Sequence, residues 1–352
     1  MAPSSVSESA LLPAEMQEGR SWRSLITWMI AIPLAAVLLY FSLRGVEWRR
    51  VGHLVSGCRF NFLFLSLAVG VLGYLVRASR WQILLNASEK LPFSQVLWAS
   101  SAGYLGNNWL PARAGELVRT AMISARSKLS RTYVLTTALA ERVTDILVLV
   151  LIGSFVGLGL EQKPLWLARI SAVAAAAAVL GTVFLVALPI VHGWADAIVA
   201  RLPVADRLKA RLHRITENML AAMRGFRNPS RFLRFLALTI LIWLIEASAA
   251  MAAARALSLH LSLPVALLLL TALGVGNALP ATPGAVGIVQ FVAVTVLVPF
   301  HFTHTDAIAF ILTAQAVSYV VITSLGLLGV WRYRMNAPKS GPSSPQRTRG
   351  ET

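Results

Sequence analysis

The chain has 352 residues, of which 57% are hydrophobic and only 13% charged, yet its formal net charge is +17. A soluble domain usually carries about 25% charged residues, so an ordinary soluble globular protein is excluded. The single cysteine, Cys58, excludes an intramolecular disulfide and a cysteine metal cluster.

Residues 1–23 carry Glu8, Glu15 and Glu18 and lack a basic leader region, and they read as a cytoplasmic N-terminal segment. The long apolar stretch Ser24–Leu43 that follows has no small-residue cleavage site, so it reads as a retained first span rather than a signal peptide. Five more apolar stretches are expected to span: Phe60–Ala78, Glu141–Leu160, Trp166–Val191, Arg234–Ala254 and Ala307–Val330. Roughly 20 helical residues, at about 1.5 Å each, cross a hydrocarbon core of about 30 Å. Trp22, Trp48, Trp81, Trp166, Trp194 and Trp331 lie near span ends, as an interfacial aromatic belt would place them. Residues 204–226 repeat Leu208, Leu212, Ile215, Met219, Ala222 and Phe226 at helical spacing, with arginines between, which predicts an amphipathic helix on the membrane surface. The tail, residues 336–352, has the Ser, Pro, Gly and Arg content of a disordered cytoplasmic segment.

The positive charge is not spread as a nucleic-acid footprint. It clusters in Arg113–Arg131, Arg201–Arg234 and Arg332–Arg349, between or after spans, which is the positive-inside pattern of cytoplasmic segments. Both termini are then cytoplasmic. The loop Arg44–Arg59 must be external in this scheme despite its four arginines.

The octet Asn108-Trp109-Leu110-Pro111-Ala112-Arg113-Ala114-Gly115 returns as Asn277-Ala278-Leu279-Pro280-Ala281-Thr282-Pro283-Gly284, an offset of 277 − 108 = 169 residues. Each copy breaks an apolar segment, Pro92–Met122 or Pro264–Pro299. A broken helix in lipid leaves backbone groups unpaired unless protein or water satisfies them. Breaks at matching positions of two halves point to a transport-type binding site. The charge pattern makes each broken segment a re-entrant hairpin, and three crossings between them invert the second. The expected fold is therefore an all-α, polytopic membrane bundle spanning residues 24–335. Its inverted-topology halves are 24–160 and 166–330, each with one re-entrant hairpin. Asn108 and Asn277 are expected to cap their own broken helices, with Gly115 and Gly284 permitting the tight backbone return.

Acidic residues within or beside the apolar segments are few: Glu116, Glu141, Asp145 and Glu246. Intramembrane ionisable groups are costly and are functional or paired. Arg113 and Glu116 are spaced i, i+3, and Glu141 and Asp145 i, i+4, so each pair can share a helical face. Arg113, Arg119 and Arg142 have the guanidinium chemistry to hold a lipid phosphate. The alternative is an internal salt-bridge network that pins the hairpin to the third span. His301, His304 and Asp306 lie in a short turn and read as turn residues, so no metal or cofactor is expected. No P-loop, serine-hydrolase or zinc-protease pattern occurs, and no catalytic residue is assigned.

These motifs resemble the transmembrane region of the lysylphosphatidylglycerol synthase/flippase family. The likeness rests on Gly106-Asn107-Asn108-Trp109-Leu110-Pro111-Ala112-Arg113-Ala114-Gly115-Glu116 with Arg119, on Glu141-Arg142-Val143-Thr144-Asp145, and on Pro280-Ala281-Thr282-Pro283-Gly284-Ala285-Val286-Gly287. It covers roughly Ser24–Arg334. The resemblance implies movement of a polar or anionic lipid (a phospholipid, aminoacyl-phospholipid, hopanoid or isoprenoid-linked lipid) between leaflets of a bacterial-type inner membrane. The implied substrate residues are Asn107, Asn108, Arg113, Glu116, Arg119, Glu141, Arg142, Asp145, Glu246, Asn277 and Gln290. Pro111, Gly115, Pro280, Pro283, Gly284 and Gly287 are the implied structural positions of the hairpins. Where the family carries Pro-Gly-Gly and a later Glu, this chain has Ala285 and the neutral Gln290. No soluble synthase domain follows residue 335, so lipid aminoacylation is not expected. Expected partners are membrane lipids, a separately encoded lipid-modifying enzyme and further copies of the chain. The competing function is an integral-membrane enzyme or scaffold in a headgroup-modifying pathway.

Overall fold

The computed structural model describes residues 32–110, 114–159, 165–187, 228–276 and 283–335, with isolated positions between 215 and 222. All regular elements among the described residues are helices. Four are long and apolar enough to cross a membrane: α3 (Phe60–Leu85), α6 (Arg131–Gly159), α8 (Pro229–Ala256) and α11 (His304–Met335). The expected first span is described only from Ile32, as α1 (Ile32–Leu43), and the expected fourth lies in α7 (Leu165–Ala187). The N-terminal segment, the tail and most of 204–226 lie outside the described residues, as do Pro111, Arg113, Asn277 and Pro280.

Large apolar side chains on the long helices point outward, among them Phe60, Phe64, Phe155, Leu233 and Leu327. In water each would forgo about 1.5–3 kcal/mol of burial, whereas lipid solvates them. Hydroxyls on these helices are satisfied within their own turns: Ser79, Thr136, Thr144, Thr239 and Thr313 each donate to the carbonyl four residues back. Ser130 and Thr303 accept backbone N–H groups from Tyr133 and Asp306, capping the starts of α6 and α11. Asn228 does the same for α8 through Arg231 N, with Pro229 at the first helical position.

Helices extend beyond the hydropathy reading, and two of these extensions bear on the site. Helix α3 runs on to Leu85, past Ala78, and α6 begins at Arg131, ten residues before Glu141. Glu141 and Asp145 therefore lie well inside a helix rather than at its start. Trp81 is fully buried, not interfacial; its indole donates to Thr137 Oγ1 at 3.1 Å. Trp48 and Trp331 are about half exposed. The arginine-bearing stretch between α1 and α3 is not a plain loop. It holds helix α2 (Trp48–Ser56), whose only buried residue is Val51. Arg50 grips Asp306 at the start of α11 with two hydrogen bonds of 3.1 Å.

The first broken segment forms α4 (Phe93–Trp109) and α5 (Gly115–Ser124), which pack on each other. Their backbones meet at glycine. A Cβ on Gly106 would lie 2.9 Å from Gly115 Cα, and one on Gly115 would collide with Gly103 O. The second forms α9 (Leu263–Gly276) and α10 (Ile288–Leu297), also packed together. Between them Gly284 and Gly287 adopt φ of 70° and 90°, the left-handed region that glycine enters without a Cβ penalty.

Three helix pairs carry much of the packing. Helix α3 packs on α8, α4 on α11, and α9 on α6. Each pair is antiparallel: Gly73 lies against Ile245 and Arg80 against Thr239, Leu105 against Gly326 and Ser101 against Gly329, Leu149 against Gly274 and Gly153 against Thr271. Two apolar clusters result. One gathers Trp81, Val96, Ile123 and Val134 with Ala222, and the other Leu257, Leu269, Leu297 and Phe310. The packing of Ala222 shows that this part of the amphipathic stretch rests on the bundle.

Candidate functional site: a buried charged network beside a cavity

Arg80 is the hub of the charged network and is completely buried. Its guanidinium donates to Glu141 Oε1 at 2.8 and 3.2 Å, to Asp145 Oδ2 at 2.9 Å and to Thr239 Oγ1 at 3.1 Å, with a further bond to Asp145 Oδ1. The i, i+4 spacing of Glu141 and Asp145 on α6 lets one fork serve both carboxylates. Arg119 of α5 donates to the other Glu141 oxygen at 2.9 Å and to Glu116 at 2.5 Å, with its third contact on Ala138 O. Arg142 completes the chain, donating to Glu116 Oε1 at 2.9 Å, and Asn107 Nδ2 donates to that same oxygen at 3.2 Å.

Three arginines thus face three carboxylates, and the network is neutral. Exposure separates its members: the side chains of Arg80, Arg119 and Glu141 are at most 2% exposed, whereas Arg142 is 38% exposed and Glu116 15%. Arg119 also lies over the Trp81 ring, 4.5 Å from its centroid, and Arg80 over Phe235 at 5.3 Å. The core of the network is locked. Its open edge is Arg142 with Glu116.

A second ion pair joins α3 to α8. Arg77 Nη2 lies 2.9 Å from Glu246 Oε1, and the guanidinium covers the Trp243 ring at 5.2 Å. Glu246 lines a cavity of about 210 Å³ enclosed by α3, α8, α9, α10 and α11. Its remaining wall is mainly apolar, with Tyr74, Ser66, Gln315 and Ser318 as further polar groups. Gln290 sits behind it as a structural tie. Its Oε1 accepts from Gly287 N at 2.8 Å and its Nε2 donates to Gln315 Oε1 at 2.7 Å. Gln315 and the Tyr319 hydroxyl both donate to Gly284 O, at 3.4 and 3.2 Å.

Of the residues singled out from sequence, Asn107, Glu116, Arg119, Glu141, Arg142 and Asp145 come together, whereas Glu246 lines the cavity and Gln290 bonds Gln315. Pro283 opens a short 3₁₀ turn, Pro283–Ala285. Asn108 Nδ2 has no hydrogen-bond partner, so the donor half of its expected cap is not made. Arg77, Arg80, Gln315 and Tyr319 were missed. For the two arginines the available signal was Trp81, Ile83, Leu84 and Leu85 just beyond them, which carry α3 past both. His304 hydrogen-bonds Ser42 O and Asp306 holds Arg50, and among the described residues no three potential metal ligands gather.

An all-helical bundle with four apolar helices of spanning length and a neutralised charge network inside defines a multi-pass membrane protein. Residues 28–326 match the family model described as the lysylphosphatidylglycerol synthase TM region, and the chain belongs to that family. Comparison with curated proteins and with solved structures gives no match.

Proposed function

We propose that the protein moves a polar or anionic lipid between bilayer leaflets, using two inverted repeats whose re-entrant hairpins, α4–α5 and α9–α10, flank the path. The observation that carries this reading is the Arg77–Glu246 pair. Tyr74-Leu75-Val76-Arg77-Ala78-Ser79 matches Trp243-Leu244-Ile245-Glu246-Ala247-Ser248, and the offset 246 − 77 = 169 is that of the Asn-x-Leu-Pro-Ala copies. Equivalent residues of two related helices touch only where a two-fold axis passes between them. Because α3 and α8 are antiparallel, that axis lies across the bundle rather than along it. The mated pairs α4–α11 and α9–α6 support the same relation.

Such a pair stays opposite itself when the halves exchange conformations, so it serves as a pivot while the adjoining cavity opens to one side and then the other. Apolar walls with one carboxylate suit a headgroup that enters while its tails remain in lipid. Arg142 and Glu116 are the members of the charged network free to meet the headgroup, and Arg80 and Arg119 brace the hairpin. The reading assigns no bond-making step to this chain, places it in a bacterial-type inner membrane with its basic end cytoplasmic, and pairs it with a separately encoded lipid-modifying enzyme.

The test is reorientation of a headgroup-labelled lipid in proteoliposomes containing the purified protein. Protein-dependent exchange that is lost in Arg77→Glu supports transport. Exchange no faster than in protein-free vesicles, or headgroup turnover without exchange, overturns it in favour of a scaffold or an enzyme.

A further inference from the structure

A second cavity, of about 400 Å³, lies at the end of the bundle where α4 begins and α5 and α11 finish. Ser94, Gln95, Trp98, Arg126, Arg332 and Tyr333 line it. Its size falls within the ~300–1,000 Å³ of small-ligand sites. The inward arginines Arg77, Arg80, Arg119 and Arg142 all sit on carboxylates. Arg126 and Arg332 have no carboxylate partner among the described residues. The loop acid beside them, Glu89, accepts from the Lys128 backbone N–H.

The wall is built rather than loose. Arg126 donates to Tyr333 O and lies over the Tyr333 ring at 3.6 Å. Gln95 Nε2 donates to Arg126 O at 3.3 Å, and the Tyr333 hydroxyl donates to Met122 O at 3.1 Å. Arg332 lies over the Trp331 ring at 5.1 Å. No side chain caps α4, so the first-turn N–H groups of that helix add positive potential to the same end.

An independent observation lies deeper in the hairpin. Ser100, Ser101 and Thr120 are at most 4% exposed, and their hydroxyls have no hydrogen-bond partner, nor has Ser124 Oγ. Buried polar atoms are almost always satisfied, by water or ligand where protein does not do so. These four lie along α4 and α5 between the basic cavity and the Asn107–Glu116 edge of the charged network.

We propose that this cavity binds a phosphate group, carried by an anionic lipid headgroup or free in solution, with Arg126 and Arg332 as its guanidinium ligands. Two guanidinium forks without a carboxylate partner among the described residues supply donors to phosphate oxygens, and Trp98 and Tyr333 give the amphipathic surface that a headgroup meets at a membrane boundary. The site deepens the transport reading by giving the headgroup a docking point at the basic end. It is a claim about binding alone, so arginine-dependent binding without lipid exchange would sink transport and leave the site standing.

Native mass spectrometry of the delipidated full-length protein provides the test, with phosphatidylglycerol, diacylglycerol and inorganic phosphate as separate probes. Wild type is expected to retain one phosphatidylglycerol at least about tenfold better than diacylglycerol, and Arg126→Gln/Arg332→Gln to lose that preference. Displacement of phosphatidylglycerol by millimolar phosphate shows that the two sources share the site. Arginine-dependent thermal protection by phosphate, with no lipid retained, assigns the site to the free anion. Arg332 is exposed and lies over the Trp331 ring, with no ion pair among the described residues, so Arg332→Gln alone is expected to preserve the fold and to weaken retention severalfold. Equal retention in wild type and both variants, with no arginine-dependent protection by phosphate, overturns the proposal.

Discussion

Arg80→Met removes the hub of the charged network while keeping a long apolar stem in place. Asp145 loses its ion-pair partner among the described residues, whereas Glu141 keeps Arg119 at 2.9 Å. Thr239 loses a donor but still donates to Phe235 O. Deleting one partner of a buried pair costs about 3–5 kcal/mol, chiefly because the other charge remains buried and unpaired. With Glu141 still held, one broken pair is the appropriate estimate. At ~1.4 kcal/mol per factor of ten, the unfolding constant should rise roughly a hundredfold to a few thousandfold. The assay is reversible unfolding in mixed micelles by SDS titration, followed by tryptophan fluorescence, with Trp81 beside the network as a reporter. Arg80→Met/Asp145→Leu removes both charges, and apolar replacement of a buried pair is neutral or stabilising, so the double variant should return to within about 1 kcal/mol of wild type. A loss below about 1 kcal/mol in Arg80→Met, or no recovery in the double variant, would refute the assignment of Arg80 as the charge that keeps Asp145 buried.

Three further outcomes are expected. Arg77→Glu and Glu246→Arg should each abolish lipid exchange in proteoliposomes, and the double reversal should restore it to within about threefold, less than one decade of affinity, because the proposed axis would map one position onto the other; a double variant no better than either single removes the pivot. Gly115→Ala places a Cβ against Gly103 O and 2.5 Å from Asn107 N, an overpacking that should cost about 1–3 kcal/mol. Gly52→Ala on α2, with nothing within 4 Å, should be stabilising by ~0.5–1 kcal/mol, and the same SDS titration checks the contrast. Asn108→Ala removes an amide nitrogen without a partner and should change stability by less than about 0.5 kcal/mol; a larger loss in that titration would restore its role as a helix cap.

The charged site was half legible in the sequence. Glu116, Arg119, Glu141, Arg142 and Asp145 stand out because charge is rare in apolar helices, and helical spacing puts Glu141 and Asp145 on one face. Arg80 was hidden by that same rarity. A hydropathy window ends a span near the first basic residues, and this closed the second span at Ala78, just after Arg77 and short of Arg80. Trp81 was misread with them, since the supposed span end became the supposed interface. Among the arginines between α1 and α3, Arg50 faces Asp306, 256 residues away, a pairing that the local sequence pattern does not show.

The sequence by itself determined the helical membrane class, the two helix breaks and the shared face of Glu141 and Asp145. These follow from local periodicity, proline and glycine chemistry, and the additive cost of placing each residue in lipid. Only the tertiary structure decided which charges are tolerated inside and why. The penalty for burying Arg80 is set not by its own helix but by carboxylates 61 and 65 residues further on. That for Arg77 is set by its counterpart 169 residues on. Desolvation is a property of one residue, but its compensation belongs to whichever helices pack beside it, and no reading along a single helix contains that term.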